Sequence, residues 1–175
     1  DLGAIARNVE RVRRHIGPKH GIIPVVKGNA YGLGTVEVAR LLAERCGVQL
    51  IANAHVLESM QIRQAGVDAD LMILGALPPH AIPYGPRYDL QLTVFNRQTV
   101  ELLSQACRQQ GKVGKVHVKI ETGLGRIGVE PGPPLEELLD AIEGAGNLEI
   151  VGVFTHFATA AQWGSPYARQ QLALF

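Results

Sequence analysis

Side chains able to do chemistry stand where the apolar runs of this sequence end. Lys27 follows Pro24-Val25-Val26, Lys119 and Glu121 close Val116–Ile120, and Thr155 and His156 follow Leu148–Phe154. A lysine at the rim of a buried strand is expected to be partly desolvated, which lowers its pKa and leaves neutral amine free to attack a carbonyl carbon. The segment after it, Gly28-Asn29-Ala30-Tyr31-Gly32-Leu33-Gly34, joins glycines to a tyrosine. Backbone amides there, at the mouth of the next helix, suit a phosphate. Taken singly, each of these residues could equally be a strand cap facing solvent. In a parallel α/β fold, however, such ends share one rim, where barrels and open sheets both keep their active sites.

The elements that must position these groups are legible as an alternation. Strands are predicted over Ile22–Val26, Val48–Ala52, Leu71–Leu74, Leu90–Val94, Val116–Ile120 and Leu148–Val153, each nearly continuous in Val, Ile and Leu. Such runs predict strands covered on both faces. Pro24 removes a ladder donor, so the first strand is expected to start effectively at Val25. Between the strands, Leu2, Ile5, Val9, Val12 and Ile16 form the stripe of an amphipathic opening helix. Thr35 is placed to cap a helix ending at Gly47, Asn96 to cap one ending at Gly111, and Pro133 and Pro134 to open one ending at Gly144. Residues 76–89, with Pro78, Pro79, Pro83 and Pro86, predict a short or distorted helix at best. Strands alternating with helices imply right-handed βα units in one domain. Two closures fit: an open doubly wound sheet, or a parallel (β/α)8 TIM barrel present here as about six units.

Composition removes other classes. At 46% hydrophobic and 19% charged, the 175 residues are globular rather than disordered. The net charge is +1, and the densest basic stretch, Arg11-Val12-Arg13-Arg14-His15, lies on the polar face of the opening helix, so no nucleic-acid surface is implied. Cys46 and Cys107 form no C-x-x-C pair and read as buried apolar residues in a reducing compartment. No apolar run suits a membrane or signal segment, and a soluble cytoplasmic protein is expected. His15, His20, His55, His80 and His117 show no metal-ligand spacing. Gly123-x-Gly125-x-x-Gly128 satisfies the dinucleotide pattern, but Glu130-Pro131-Gly132-Pro133-Pro134 separates it from the helix such a loop must enter directly.

Val25-Val26-Lys27-Gly28-Asn29-Ala30-Tyr31-Gly32-Leu33-Gly34 resembles the cofactor-attachment motif of the alanine racemase family, fold-type III enzymes that use pyridoxal 5'-phosphate (PLP). The Asp1–Ile16 helix, Glu58–Gly66 with Leu71–Gly75, Lys119–Gly128 and Phe154-Thr155-His156-Phe157-Ala158 resemble further segments of the same family in the same order. The resemblance covers essentially the whole chain and implies the N-terminal barrel domain of the family. It implies that Lys27 holds PLP and acts as one of two catalytic bases, and that Tyr31 bonds the cofactor phosphate. It also implies that Arg126 reaches the phenolic oxygen and the substrate carboxylate, that Lys119 is carried as a carbamate, and that His156 packs on the pyridine ring.

The activity implied is interconversion of L- and D-alanine, which supplies peptidoglycan, by a homodimer with a small amino-acid substrate. Serine and basic amino-acid racemases share these front-half motifs. A PLP-binding homologue without turnover is the alternative from another class, and a nicotinamide oxidoreductase rests on the glycine pattern alone. Leu33 stands where the family usually has histidine. Asp1 opens a helical pattern without a starting Met and Phe175 closes another, so both ends are expected to be truncations. The family's C-terminal β domain, with its second base and remaining phosphate ligands, is expected to lie outside these residues, leaving the isolated chain inactive.

Overall fold

Two compact units account for the chain in the computed structural model, which describes all of residues 1–175: Asp1–Gly75 with Tyr88–Leu90, and Ala76–Arg87 with Gln91–Phe175. In the first, the Asp1 carboxylate accepts the Gly3 and Ala4 amides and starts α1 (Leu2–Ile16). The short turn α2 (Lys27–Gly32) is followed by α3 (Thr35–Arg40), β1 (Leu50–Asn53), α4 (Val56–Gln64) and β2 (Asp70–Ile73). The strands pair in parallel, Leu50 opposite Asp70 through Asn53 opposite Ile73. Arg63 on α4 anchors residues 88 and 89, donating to the carbonyls of Tyr88 and Asp89 at 3.1 Å each.

Two sequence expectations change here. The predicted first strand is reduced to one parallel bridge, Val25 with Ala52. The Ala52 amide bonds the Pro24 carbonyl and the Val26 amide bonds the Ala52 carbonyl, both at 2.9 Å. Pro24 itself offers no N–H with which to extend the ladder. Thr35 is not the cap of α3 but its first residue, after Gly34 at φ 95°. From Leu41 to Arg45 the helix widens to a π-turn, closed by the Cys46 amide on the Leu41 carbonyl at 3.1 Å.

In the second unit a 3₁₀ turn (Pro79–Ala81) and α5 (Tyr84–Arg87) fill the proline-rich stretch, as its composition predicts. β3 (Leu90–Val94), α6 (Arg97–Gln110), β4 (Gly114–Lys119), α7 (Pro133–Ala145), β5 (Leu148–Phe154) and α8 (Pro166–Leu174) follow. Asn96 caps α6 by accepting the Thr99 amide at 2.9 Å, and Gly111 ends it in the left-handed region. α7 runs past Gly144 to stop at Gly146, whose φ of 69° makes the left-handed turn. β3, β4 and β5 pair in parallel, with an irregularity between Val116 and His117. β3 and β4 are buried almost throughout, but β5 leaves Ile150, Val151 and Val153 exposed, against the expectation that every strand is covered on both faces. No helix is long and apolar enough to cross a membrane, and Cys46 and Cys107 are free and buried as expected.

Candidate active site

In the first unit the β1-side run ends at Val26, 2% exposed, and the chain turns into α2. Gly28, Asn29, Ala30 and Tyr31 all take left-handed angles, with φ between 51° and 64°. For the three that are not glycine this conformation costs on the order of 1–2 kcal/mol each, somewhat less for Asn29. Strain of that kind persists where the surroundings over-determine it, and it concentrates at functional sites.

The surroundings are visible. The Ala30 amide donates to the Val26 carbonyl at 2.8 Å and the Gly34 amide to the Asn29 carbonyl at 3.0 Å. Asn29 Oδ1 accepts the Thr35 amide at 3.0 Å, and the Asn29 amide donates to Glu58 Oε1 at 2.7 Å. Ala30 is buried inside the turn, while Lys27 and Tyr31 stand at the surface of the unit. Lys27 is thus exposed rather than partly desolvated. The left-handed turn buries Val26 and Ala30 and leaves residues 27–29 outside.

In the second unit the ends of β4 and β5 lie side by side, Lys119 opposite Phe154. The Ile120 amide donates to the Phe154 carbonyl at 2.9 Å, which brings the chain leading to His156 alongside that leading to Arg126. Lys119 is 2% exposed, with Nζ 5.5 Å from the centroid of the Phe154 ring. Burial lowers its pKa, the charge of Arg126 lowers it further, and Glu121 acts in the opposite sense. Arg126 itself is exposed. The His156 carbonyl accepts from Gln171 Nε2 at 3.2 Å, and the same amide group donates to Thr122 Oγ1 at 3.1 Å. Thr155 Oγ1 bonds Thr122 Oγ1 at 2.7 Å and donates to the Ile120 carbonyl at 2.9 Å, so its work is structural.

Glu121 is likewise committed. Its carboxylate accepts the Gly123 amide at 2.6 Å and the Arg126 amide at 3.2 Å. Burial pushes its pKa up, but hydrogen bonds from the backbone of Gly125, Gly123, Arg126 and Leu124 outweigh that and hold it below its ordinary value. The glycine loop has therefore turned its amides onto its own carboxylate, and α7 begins only at Pro133. A pyrophosphate would find neither free donors nor a helix N-terminus, which removes the dinucleotide reading.

Of the residues expected from sequence, Lys27 and Tyr31 share the first unit, and Lys119, Arg126 and His156 the second. Glu58 was visible in sequence only as the first residue of a similar segment. Its link to Asn29 joins residues 29 apart and has no local signature.

The family model described as alanine racemase, N-terminal domain, matches residues 1–175. An alanine racemase of Desulforamulus reducens is 34% identical over the whole chain, which covers 47% of that protein. Alanine racemase 1 of Bacillus subtilis is 35% identical and covered to 44%. Among solved structures, the alanine racemase of Bacillus anthracis with bound L-Ala-P matches all of the chain at a TM-score of 0.91 and 37% identity, 45% of that chain being covered. The chain thus spans about half the length of the relatives it matches. Its fold is the parallel α/β fold of those structures, and the chain belongs to the alanine racemase family, matching its N-terminal domain along its whole length.

Proposed function

We propose that this chain holds pyridoxal 5'-phosphate through Lys27 and serves the interconversion of L- and D-alanine by a homodimeric enzyme built like its relatives. The observation that carries the reading is the strained turn after Lys27, held by hydrogen bonds on both sides while the lysine amine stands at the surface. The donor set fits the cofactor's chemistry. Lys27 supplies an amine for an aldehyde, Tyr31 a hydroxyl for a phosphate, and Arg126 a charged fork for a phenolic oxygen and a carboxylate. His156 supplies a ring to lie against the pyridine.

When bound, PLP takes up the charge left as the α-proton departs. The chain's own residues then anchor, orient and move that proton. Lys27 Nζ would hold the cofactor and would serve as the base that takes or returns the α-proton on one face. Arg126 fixes the substrate carboxylate. The lowered pKa of Lys119 keeps more of its amine neutral, the form in which Nζ attacks carbon dioxide and loses a proton to become a carbamate. That change replaces two repelling cations by an acceptor facing Arg126. Inversion requires a second base on the other face, a role the family resemblance puts outside residues 1–175.

The test uses the full-length protein. After incubation with PLP and reduction by borohydride, the label is expected on Lys27, and Lys27→Ala is expected to abolish both label and α-proton exchange of alanine. Label confined to another lysine would overturn the assignment. Intact mass is expected to show a gain of one carbon dioxide that Lys119→Met removes.

A further inference from the structure

We infer that Glu58 is a positioning residue that holds Lys27 and Tyr31 in place through the backbone of the turn between them. The inference rests on the cofactor role proposed for Lys27. Glu58 lies in the first turn of α4, and its Oε1 accepts the Asn29 amide at 2.7 Å. Asn29 stands midway between Lys27 and Tyr31, within the left-handed run. Its N–H is therefore fixed from α4 while its side chain is fixed from the start of α3 by the Thr35 amide. Without the first of these bonds the turn loses its tie to α4, and Asn29, Ala30 and Tyr31 are freer to relax toward ordinary angles. Relaxation would swing the lysine and the phenol relative to one another.

A second observation separates Glu58 from an ordinary surface acceptor. Its other oxygen, Oε2, is buried with no hydrogen-bond partner. A residue kept only for stability would not leave a carboxylate oxygen in that condition, because an unpaired buried acceptor is costly and a charged one more so. Glutamine would keep the Oε1 acceptor without the charge. Aspartate would keep the charge but, one methylene shorter, would not reach the Asn29 amide.

These two substitutions, with Glu58→Ala, separate positioning from folding. In the full-length apoprotein, hydrogen exchange of the peptide spanning residues 27–34 reads the turn directly. In the same preparations, the rate at which borohydride-fixed label appears on Lys27 reads its consequence. E58D and E58A are expected to exchange about tenfold faster in that peptide alone, as loss of one hydrogen bond to a charged group implies. They should acquire label more slowly by a similar factor and lose kcat with little change in KM. E58Q is expected to stay close to wild type in all three. Ala30→Gly, which removes the penalty of the left-handed angle at residue 30, is expected to restore part of the labelling rate in E58D. If E58A fails to fold, E58D and E58Q carry the comparison. Wild-type exchange and labelling in E58D would overturn the inference, and so would losses in E58Q as large as those in E58D, because glutamine keeps the Oε1 acceptor. Absence of label on Lys27 in the unaltered protein would overturn the cofactor reading instead, leaving the exchange result to stand for the turn by itself.

Discussion

Lys119 carries a penalty that its neighbours do not remove. It is buried, its Nζ lies 5.5 Å from the centroid of the Phe154 ring, and the charge of Arg126 opposes its own. Replacing such a cation by an apolar chain of similar length usually stabilises a fold. Without the carbamate, Lys119→Met is therefore expected to raise stability by about 1 kcal/mol or more, read as a shift in urea midpoint against the unmodified protein, while lowering the substrate affinity that depends on Arg126. His117 poses the opposite case. Its Nε2 bonds Gln91 Oε1 at 2.6 Å, and burial lowers its pKa below the ordinary histidine value. The unfolded chain then binds a proton more readily than the folded one. Stability is full above about pH 6.5 and falls as pH drops from there through the lower folded value. Thermal melts between pH 7.5 and 5 are expected to show that decline, roughly within the range where histidines titrate, and His117→Gln is expected to flatten it. A decline of the same slope in the variant would assign it to other groups.

At the scale of elements, the loop from Glu121 to Gly128 shows how a short motif is made rigid. Its amides converge on one carboxylate, and its last glycine packs against the same residue: a methyl group on Gly128 would lie 2.6 Å from the Glu121 amide nitrogen and 2.9 Å from its Cα. Backbone cannot yield as a flexible side chain can, and the φ of 151° is itself one that side chains rarely adopt. Gly128→Ala is expected to cost about 1–3 kcal/mol in denaturant unfolding and to weaken substrate binding by displacing Arg126. The sequence showed this motif and its position after a strand, but not which group would occupy its amides, because Glu121 reads equally as a base at a strand end. Helix ends divide in the same way. Asn96 and Gly111 act at single positions by local hydrogen bonds and were legible, whereas Gly144 and Gly146 compete for one role and only the register of α7 decides between them.

For the molecule as a whole, the exposed apolar residues of β5 matter most. Ile150, Val151 and Val153 are 41%, 38% and 49% exposed on a strand that pairs with β4, and α1, for all its apolar stripe, fully buries none of its residues. A strand with one free side offers unpaired amides and carbonyls to any neighbour. Residues 1–175 expressed alone are expected to associate with rising concentration in sedimentation and to bind a hydrophobic dye. A monodisperse monomer without dye binding would contradict this.

What the sequence determined by itself is what local chemistry decides. The parallel α/β class follows from apolar runs alternating with capped helices, and the residues at the strand ends follow from where those runs stop. The tertiary structure decided the rest. Pro24 reduced the first strand to a bridge because the missing donor matters only once Ala52 is alongside. The left-handed course of Gly28–Tyr31 could not be read from residues of which only the first is glycine, since it is held by Glu58 from a distant helix. Contacts of that kind join positions far apart in the chain, and no local propensity records them.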